Sequence, residues 1–154
     1  MHRALRLYQT LSRFPLGRQI FSRLICFQAP YFASISPRIE TLEVGRAVIS
    51  MPRKRRVQNH IGTIHAIALC NLAEMVAGTL IEVSLPPQLR WIPKGMTVRY
   101  TKKSAFPRVT ATGTLPMLQG EGPQDVVIPV LIRGTDGTVV LEADITMYVT
   151  PKKS

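Results

Sequence analysis

Residues 59–81 read NHIGTIHAIALCNLAEMVAGTLI, and the rest of the chain has to be arranged around them. From Ala66 onward, apolar residues cover nearly the whole circumference of a helix, so we expect a central helix that other elements surround. Asn71 and Glu74 are its main polar interruptions, and their spacing places them on one face. A carboxylate in apolar surroundings is costly unless it is paired or has a task, which makes Glu74 the first candidate for a functional residue.

The residues before this helix predict a turn that leads into an anion-binding helix start. Gly62 and Thr63 favour a turn, and a helix that begins near residues 64–66 leaves its first amides unpaired. These amides, together with the positive end of the helix dipole, can stabilise a developing oxyanion. The structural alternative is that Asn59 and Thr63 cap the helix, and that His65 is an interior histidine with satisfied hydrogen bonds.

Five residues of this stretch have the order of a known signature: Asn59, Gly62, His65, Ala66 and Glu74. The set resembles the signature of hot-dog-fold acyl-CoA thioesterases of the phenylacetate-pathway type. That family has an Asn, a Gly-Thr or similar turn, His-Gly-Gly, and an Asp or Glu deep in the central helix. Here Ala66 and Ile67 stand where the family has two glycines, and the acid is Glu. NHIGTIHAIALCNLAE looks closest to a thioesterase-like branch of the superfamily, and the resemblance covers about residues 35–150.

Length and composition limit the class of protein. The 154 residues suit one domain with a substantial core, and the net charge of +11 favours an anionic partner such as a nucleotide, nucleic acid or a membrane surface. Coenzyme A, with its phosphates, also fits. Cys26 and Cys70 lie in apolar contexts without metal-ligand spacing, so we expect a reduced, cytoplasmic location and no metal site. No cofactor is expected, since coenzyme A would enter as part of the substrate.

The first 34 residues predict a helical N-terminal arm, which precedes a hot-dog domain at residues 35–154. Their apolar spacing indicates one or two amphipathic helices, broken at Pro15 and Gly17, which pack on the domain or lie on a membrane surface. The first acidic residue is Glu40, and the arginine-rich composition before it is also typical of a mitochondrial transit peptide, which makes the matrix an alternative location. No signal-peptide cleavage pattern follows the amino terminus, and no apolar run approaches the roughly 20 residues that span a bilayer.

The remaining segments alternate as strands. Two short strands, or one strand bent at Gly45, are predicted before the helix, and the helix should end around residues 82–85, before Pro86 and Pro87. The strands before the helix are predicted at Arg38–Val44 and Arg46–Met51. After the helix, strands and turns are predicted at Arg90–Thr101 with a turn at Pro93–Gly95, Arg108–Leu115, a turn at Gly120–Pro123, Val126–Arg133, a hairpin turn at Gly134–Gly137, and Val139–Val149. This α+β pattern predicts a curled antiparallel sheet wrapped around one long helix, which is the hot-dog architecture.

Basic residues on both sides of the helix are candidates for binding the phosphates of coenzyme A: Arg53, Arg55, Arg56, Lys102 and Lys103. The run at residues 53–56 would also suit a solvated strand end or a nucleic-acid arm. No aromatic platform adjoins the run, which favours the strand end over nucleic acid.

The position of Glu74 predicts how a site would be assembled. Glu74 lies about 12 Å along the helix from the amide of Ala66, too far to act on one thioester carbonyl. We therefore expect a homodimer or a dimer of dimers with antiparallel central helices, in which each site is shared, as the resemblance implies. The Ala66 amide would polarise the carbonyl, and Glu74 would act as general base or nucleophile on an acyl-CoA or acyl-carrier thioester.

The resemblance implies supporting roles for two more residues. Asn59 would position the water or the thioester, and His65 would hold the turn or assist at the oxyanion. The competing class is a non-catalytic hot-dog protein that binds an acyl chain or acyl-CoA. Which acyl group is bound is left open, because pocket depth depends on how the strands and the second subunit meet.

Overall fold

The computed structural model describes residues 2–118, 120 and 122–152. Its elements in chain order are α1 (Arg3–Leu11), α2 (Gly17–Gln28), a 3₁₀-helix (Pro30–Ile35), β1 (Arg38–Glu43), β2 (Arg46–Pro52), a second 3₁₀-helix (Arg55–Val57), α3 (Ala66–Ser84), β3 (Leu89–Tyr100), β4 (Arg108–Thr114), β5 (Gln124–Gly134) and β6 (Val139–Pro151). The predicted central helix, α3, is therefore present with the expected ends.

The described strands form one antiparallel sheet in the order β1-β2-β4-β5-β6-β3. All six strands contact α3, so the sheet curls around the helix and leaves β1 and β3 as its edges. This arrangement is the hot-dog fold, and it confirms the predicted α+β class. At Gly113 of β4, an added Cβ would lie 2.7 Å from Cγ1 of Val76, so a glycine allows the close approach of sheet and helix.

α3 itself is buried along most of its length but has one open side. Leu72, Val76 and Leu80 are inaccessible to solvent, whereas Ile67 near the helix start is 57% exposed. By length and composition alone, this helix of 19 residues is apolar enough to cross a membrane. No apolar run of nearly that length was expected from the sequence. Its position inside the sheet accounts for the apolar composition, since 61% of the apolar window is buried within the fold.

The strand predictions before and after α3 are largely confirmed, with one correction. β1 and β2 are two paired strands joined at Gly45, which has a φ of 84°, and Gly137 with a φ of 85° closes the β5–β6 hairpin. The turn predicted at Pro93–Gly95 is wrong, because β3 continues through it with a bulge. Proline lacks an N–H and is tolerated at a bulge on an edge strand. Of the turn predicted at Gly120–Pro123, Glu121 lies outside the described residues.

The N-terminal segment forms the two predicted helices, and both pack against β1 at one edge of the sheet. Tyr8 of α1 donates a hydrogen bond of 2.8 Å to the carbonyl oxygen of Glu40, and its ring meets that of Phe21 edge to face. Ser22 of α2 accepts a hydrogen bond of 2.9 Å from the amide of Ile39 in β1. The N-terminal helices therefore pack on the domain, which was one of the two arrangements expected from the sequence. The division of the chain into an arm and a domain at residue 34 stays a prediction.

Candidate functional site

The turn before α3 is closed by Asn59. Its Oδ1 accepts hydrogen bonds from the amides of Ile61 (3.2 Å) and Thr63 (3.1 Å), and its Nδ2 donates to Oγ1 of Thr63 (2.8 Å). Gly62 completes the turn with a φ of 76°, in the left-handed region that favours glycine. Asn59 thus has a structural role in the turn. An amide nitrogen carries two hydrogens, so one donor of Asn59 remains for a ligand.

His65 is the N-cap of α3. Its Nδ1 accepts a hydrogen bond of 3.1 Å from the amide of Ile67, so the neutral ring carries its proton on Nε2. The side chain is exposed, which corrects the alternative of an interior histidine. Among the described residues, the amide of Ala66 has no hydrogen-bond partner. The helix start therefore offers a free backbone donor beside the Nε2–H donor of His65.

A small pocket of about 240 Å³ lies at this helix start, between α3 and the two 3₁₀-helices. His65 and Ala68 line it together with Asn71, which is 6% exposed. Nδ2 of Asn71 donates a hydrogen bond of 3.1 Å to Oγ of Ser34, while its Oδ1 is buried without a partner in the described part of the chain. Asn71 was seen in the sequence only as a polar interruption, because its partner lies 37 residues away.

Glu74 opens onto a different cavity. It is half-buried, less than its apolar neighbours suggested, and its carboxylate makes no hydrogen bond or ion pair within residues 2–118, 120 and 122–152. The cavity has a volume of about 300 Å³ and is predominantly apolar, with walls from the N-terminal helices, α3 and β3 that include Phe21, Ile25, Phe32, Val83 and Trp91. In a single chain, then, Glu74 and the helix start face separate spaces.

Glu82 lies at one end of this cavity and binds two of the residues around it. Its carboxylate accepts a hydrogen bond of 2.7 Å from Nε1 of Trp91 and lies 3.0 Å from Nε2 of His2. Gly78 leaves room for the ring of Trp91, since an added Cβ would lie 3.1 Å from its Cη2 atom. Trp91 and the N-terminal helices were not among the predicted site residues, because nothing in the local sequence shows that they meet α3.

The predicted phosphate-binding residues divide into two groups. Arg53 donates a hydrogen bond of 3.0 Å to the carbonyl oxygen of Gly62, and Arg56 donates to the carbonyl oxygen of Ala33 at 2.9 Å, so both also hold local structure. The exposed side chains of Arg55, Lys102 and Lys103 make no ion pair in the described chain. The two lysines lie near the turn, because the carbonyl oxygen of the adjacent Ser104 accepts from the amide of Ile64 at 2.8 Å.

Metal ligands do not cluster in the described part of the molecule. No three His, Cys, Asp or Glu side chains come together there in a way that would hold a metal ion. Cys70 instead contacts Tyr100, with 3.0 Å between Sγ and the hydroxyl oxygen. This hydrogen bond is the largest cause of the raised pKa of Tyr100, and burial is the next; together they raise it to about 12.

Comparisons with solved structures show which proteins are similar to this chain. The structural-genomics target APC5556 is 41% identical with a TM-score of 0.83, over 97% of this chain and 99% of its own. PA5026 of Pseudomonas aeruginosa, described as a protein of unknown function and probable thioesterase, is 23% identical with a TM-score of 0.78, over 90% of this chain and 97% of its own. The thioesterase PA1618 of the same organism, solved as a mutant, is 22% identical with a TM-score of 0.74, over 85% and 94%.

At these identities the two Pseudomonas structures show a common fold. A search of the curated proteins found no match. Residues 17–149 match the family described as the domain of unknown function DUF4442, a span that includes α2, α3 and the sheet except for the last two residues of β6. The chain therefore belongs to the DUF4442 family.

Proposed function

We propose that this protein is a thioester hydrolase that acts on acyl-CoA at sites shared between two copies of the chain. The observation that carries the proposal is the carboxylate of Glu74, which is half-buried, unpartnered in the described chain and open to an apolar cavity. A carboxylate without a structural partner in such surroundings is a candidate general base. The thioesterase PA1618, which has the same fold, is consistent with this chemistry.

The open side of α3 supports the sharing of sites. Ile67, Cys70 and Glu74 follow one another at helical spacing, and none of them is fully buried. Tyr100 of the edge strand β3 is half-exposed beside them and contacts Cys70. A second copy that packs here with its central helix antiparallel would cover this apolar surface. It would also bring the partner subunit's Glu74 toward the free amide of Ala66.

In this arrangement the thioester carbonyl oxygen accepts a hydrogen bond from the amide of Ala66, with Nε2–H of His65 as a second donor. Glu74 of the second copy takes a proton from water, and the water oxygen forms a bond to the carbonyl carbon. The carbon–sulfur bond then breaks, and the proton passes to the leaving thiolate. The products are a carboxylic acid and free coenzyme A, so water is the only co-reactant. The remaining amide hydrogen of Asn59 is available to orient the water or the thioester.

The binding of acyl-CoA uses two further features of the chain. The cavity of about 300 Å³ beside Glu74 suits an apolar acyl group. Arg55 and Lys103 are exposed cations without an ion pair in the described chain and suit the phosphates of coenzyme A. Lys102 is also exposed, but part of its charge already acts on the carboxylate of Asp136. Arg53 and Arg56 also retain donors for a phosphate, because a guanidinium carries five N–H groups.

A non-catalytic acyl-CoA-binding protein is the second candidate. It is favoured by the structural use of Asn59 and of Nδ1 of His65 within the turn and cap. The hydrolase requires the charge of Glu74, whereas a non-catalytic binding protein requires only an apolar cavity and cations.

Measurement of free thiol release over short, medium, long and aromatic acyl-CoA substrates tests the proposal. Glu74→Gln should still bind acyl-CoA but lose hydrolysis by at least about 100-fold, the lower end of the contribution of a general base. Glu82→Gln is the matched control, because Glu82 lines the same cavity and glutamine can still accept from Nε1 of Trp91. Normal hydrolysis by Glu74→Gln would exclude Glu74 as the base. Binding without hydrolysis in the unaltered protein would establish the second candidate.

A further inference from the structure

The outer face of α2 is an unpartnered apolar stripe. Leu16, Ile20, Leu24 and Phe27 are 68%, 46%, 46% and 90% exposed, and they follow one another at helical spacing. The opposite face of α2, with Phe21 and Ser22, is buried against the domain. Contiguous exposed apolar side chains of this size mark a surface that another body covers. We call these four residues the α2 stripe.

A cationic cleft runs along one side of the α2 stripe. It has a volume of about 380 Å³ and lies between α2, the end of β2 and the starts of β1 and β4. Its charged lining residues are all basic: Arg23, Arg38, Lys54 and Arg108. Glu40 offsets one of these charges, because its carboxylate lies 3.3 Å from Nε of Arg38. The cleft therefore keeps a surplus of positive charge.

Arg23 lines the cationic cleft and also lies beside the α2 stripe. It lies three residues after Ile20 and four before Phe27, so helical spacing puts it beside the α2 stripe. Its side chain makes no ion pair or hydrogen bond with the described residues. On the far wall of the cleft, Arg108 donates to Oγ of Ser50 (2.9 Å), and Lys54 donates to Oγ of Ser36 (3.2 Å), which holds their charged ends in position.

The charge around the stripe selects the kind of partner. Six arginines and no acidic residue precede Glu40 in the sequence. A second copy placed on the α2 stripe would bring these like charges together, which costs free energy. An anionic surface with an apolar interior complements both the arginines and the stripe. A phospholipid bilayer has this combination, with phosphates at its surface and acyl chains below.

We propose that the α2 stripe and the cationic cleft dock this protein on the surface of an anionic phospholipid membrane. The stripe enters the boundary between headgroups and acyl chains, and the cleft takes a headgroup phosphate. Docking is independent of thioester hydrolysis, since neither Glu74 nor the start of α3 takes part in it.

Flotation of the full chain with vesicles tests this docking. Vesicles of equimolar phosphatidylcholine and phosphatidylglycerol should carry the protein, and vesicles of phosphatidylcholine alone should carry much less. Phe27→Ser should weaken the partition by about tenfold, the lower end for the burial of a phenylalanine side chain. Arg23→Gln should weaken it by about fivefold. Both side chains are exposed, so thermal unfolding should show that the variants remain folded.

Two matched controls distinguish docking through this surface from nonspecific adsorption to vesicles. Met117→Ser removes a side chain that is 94% exposed outside the stripe, and Arg46→Gln removes one exposed charge from the β1–β2 hairpin. Both should partition like the unaltered protein. Equal losses in these controls, equal recovery with the two kinds of vesicle, or no recovery of folded protein with either would overturn the proposal. Sedimentation velocity supplies a further check: a change of oligomeric state in Phe27→Ser would mean that a second copy covers the stripe instead.

Discussion

The hydroxyl of Ser22 connects the N-terminal helices to the edge of the sheet, and its removal has a calculable cost. β1 is an edge strand, so an outward-facing amide has no strand partner, and the amide of Ile39 donates to Oγ of Ser22 at 2.9 Å. Ser22 is 2% exposed and Ile39 is inaccessible. Ser22→Ala therefore leaves a buried N–H unpaired, which costs about 1–3 kcal/mol. The midpoint of thermal unfolding of a chain of this size should fall by about 2–4 °C for each kcal/mol.

Urea denaturation followed by circular dichroism measures this cost. Ser12→Ala is the matched control, because the hydroxyl of Ser12 donates only to the carbonyl oxygen of Gln9, at 3.2 Å on the surface. Its effect should stay within about 0.5 kcal/mol. A Ser22→Ala variant as stable as the control would refute the reasoning, because the amide of Ile39 would then have found another acceptor or water.

Three further outcomes follow from packing, titration and charge. Gly113→Ala should destabilise the protein by about 1–3 kcal/mol in urea, because its Cβ would lie 2.7 Å from Cγ1 of Val76, whereas Gly95→Ala, with open space around it, should not. The pKa of Tyr100 is raised from 10.0 to about 12, so the stability that this group contributes is complete below pH 10 and lost between pH 10 and 12. In urea denaturation, the free energy of unfolding of Tyr100→Phe should fall less between pH 10 and 12 than that of the unaltered protein. An equal fall in both proteins would contradict the raised pKa of Tyr100. Arg55→Glu should weaken binding of acyl-CoA far more than of acyl-pantetheine, measured by calorimetry, and equal losses would instead indicate damage to the fold.

Local patterns predicted most of the fold. The apolar circumference of residues 66–81 required a surrounded helix, and the glycines at positions 45 and 137 marked the two hairpin turns. The bulge in β3 was missed because Pro93 and Gly95 have the chemistry of a turn, whereas their place on an edge strand is set by pairing with β6. Periodicity cannot reveal which strand lies at an edge.

The candidate site was only partly predictable, for the same reason. Glu74, His65 and Ala66 were found because they lie within one stretch of sequence with a distinctive order. The cavity walls from Phe21 and Trp91 depend on contacts between distant parts of the chain. The separation of Glu74 from the helix start was predictable from the length of helix between them, but the residues that line the two separate spaces were not.

A mixing experiment tests most directly whether sites are shared between two copies. Ala66→Pro removes the proposed oxyanion donor, and proline is tolerated at the first position of a helix. Glu74→Gln removes the proposed base, so each variant alone should release almost no thiol from acyl-CoA. When equal amounts are unfolded and refolded together, half of the dimers combine the two variants, and each of these has one intact site. We predict recovery of about a quarter of the unaltered activity, whereas no recovery in a folded mixture of dimers would contradict the shared site.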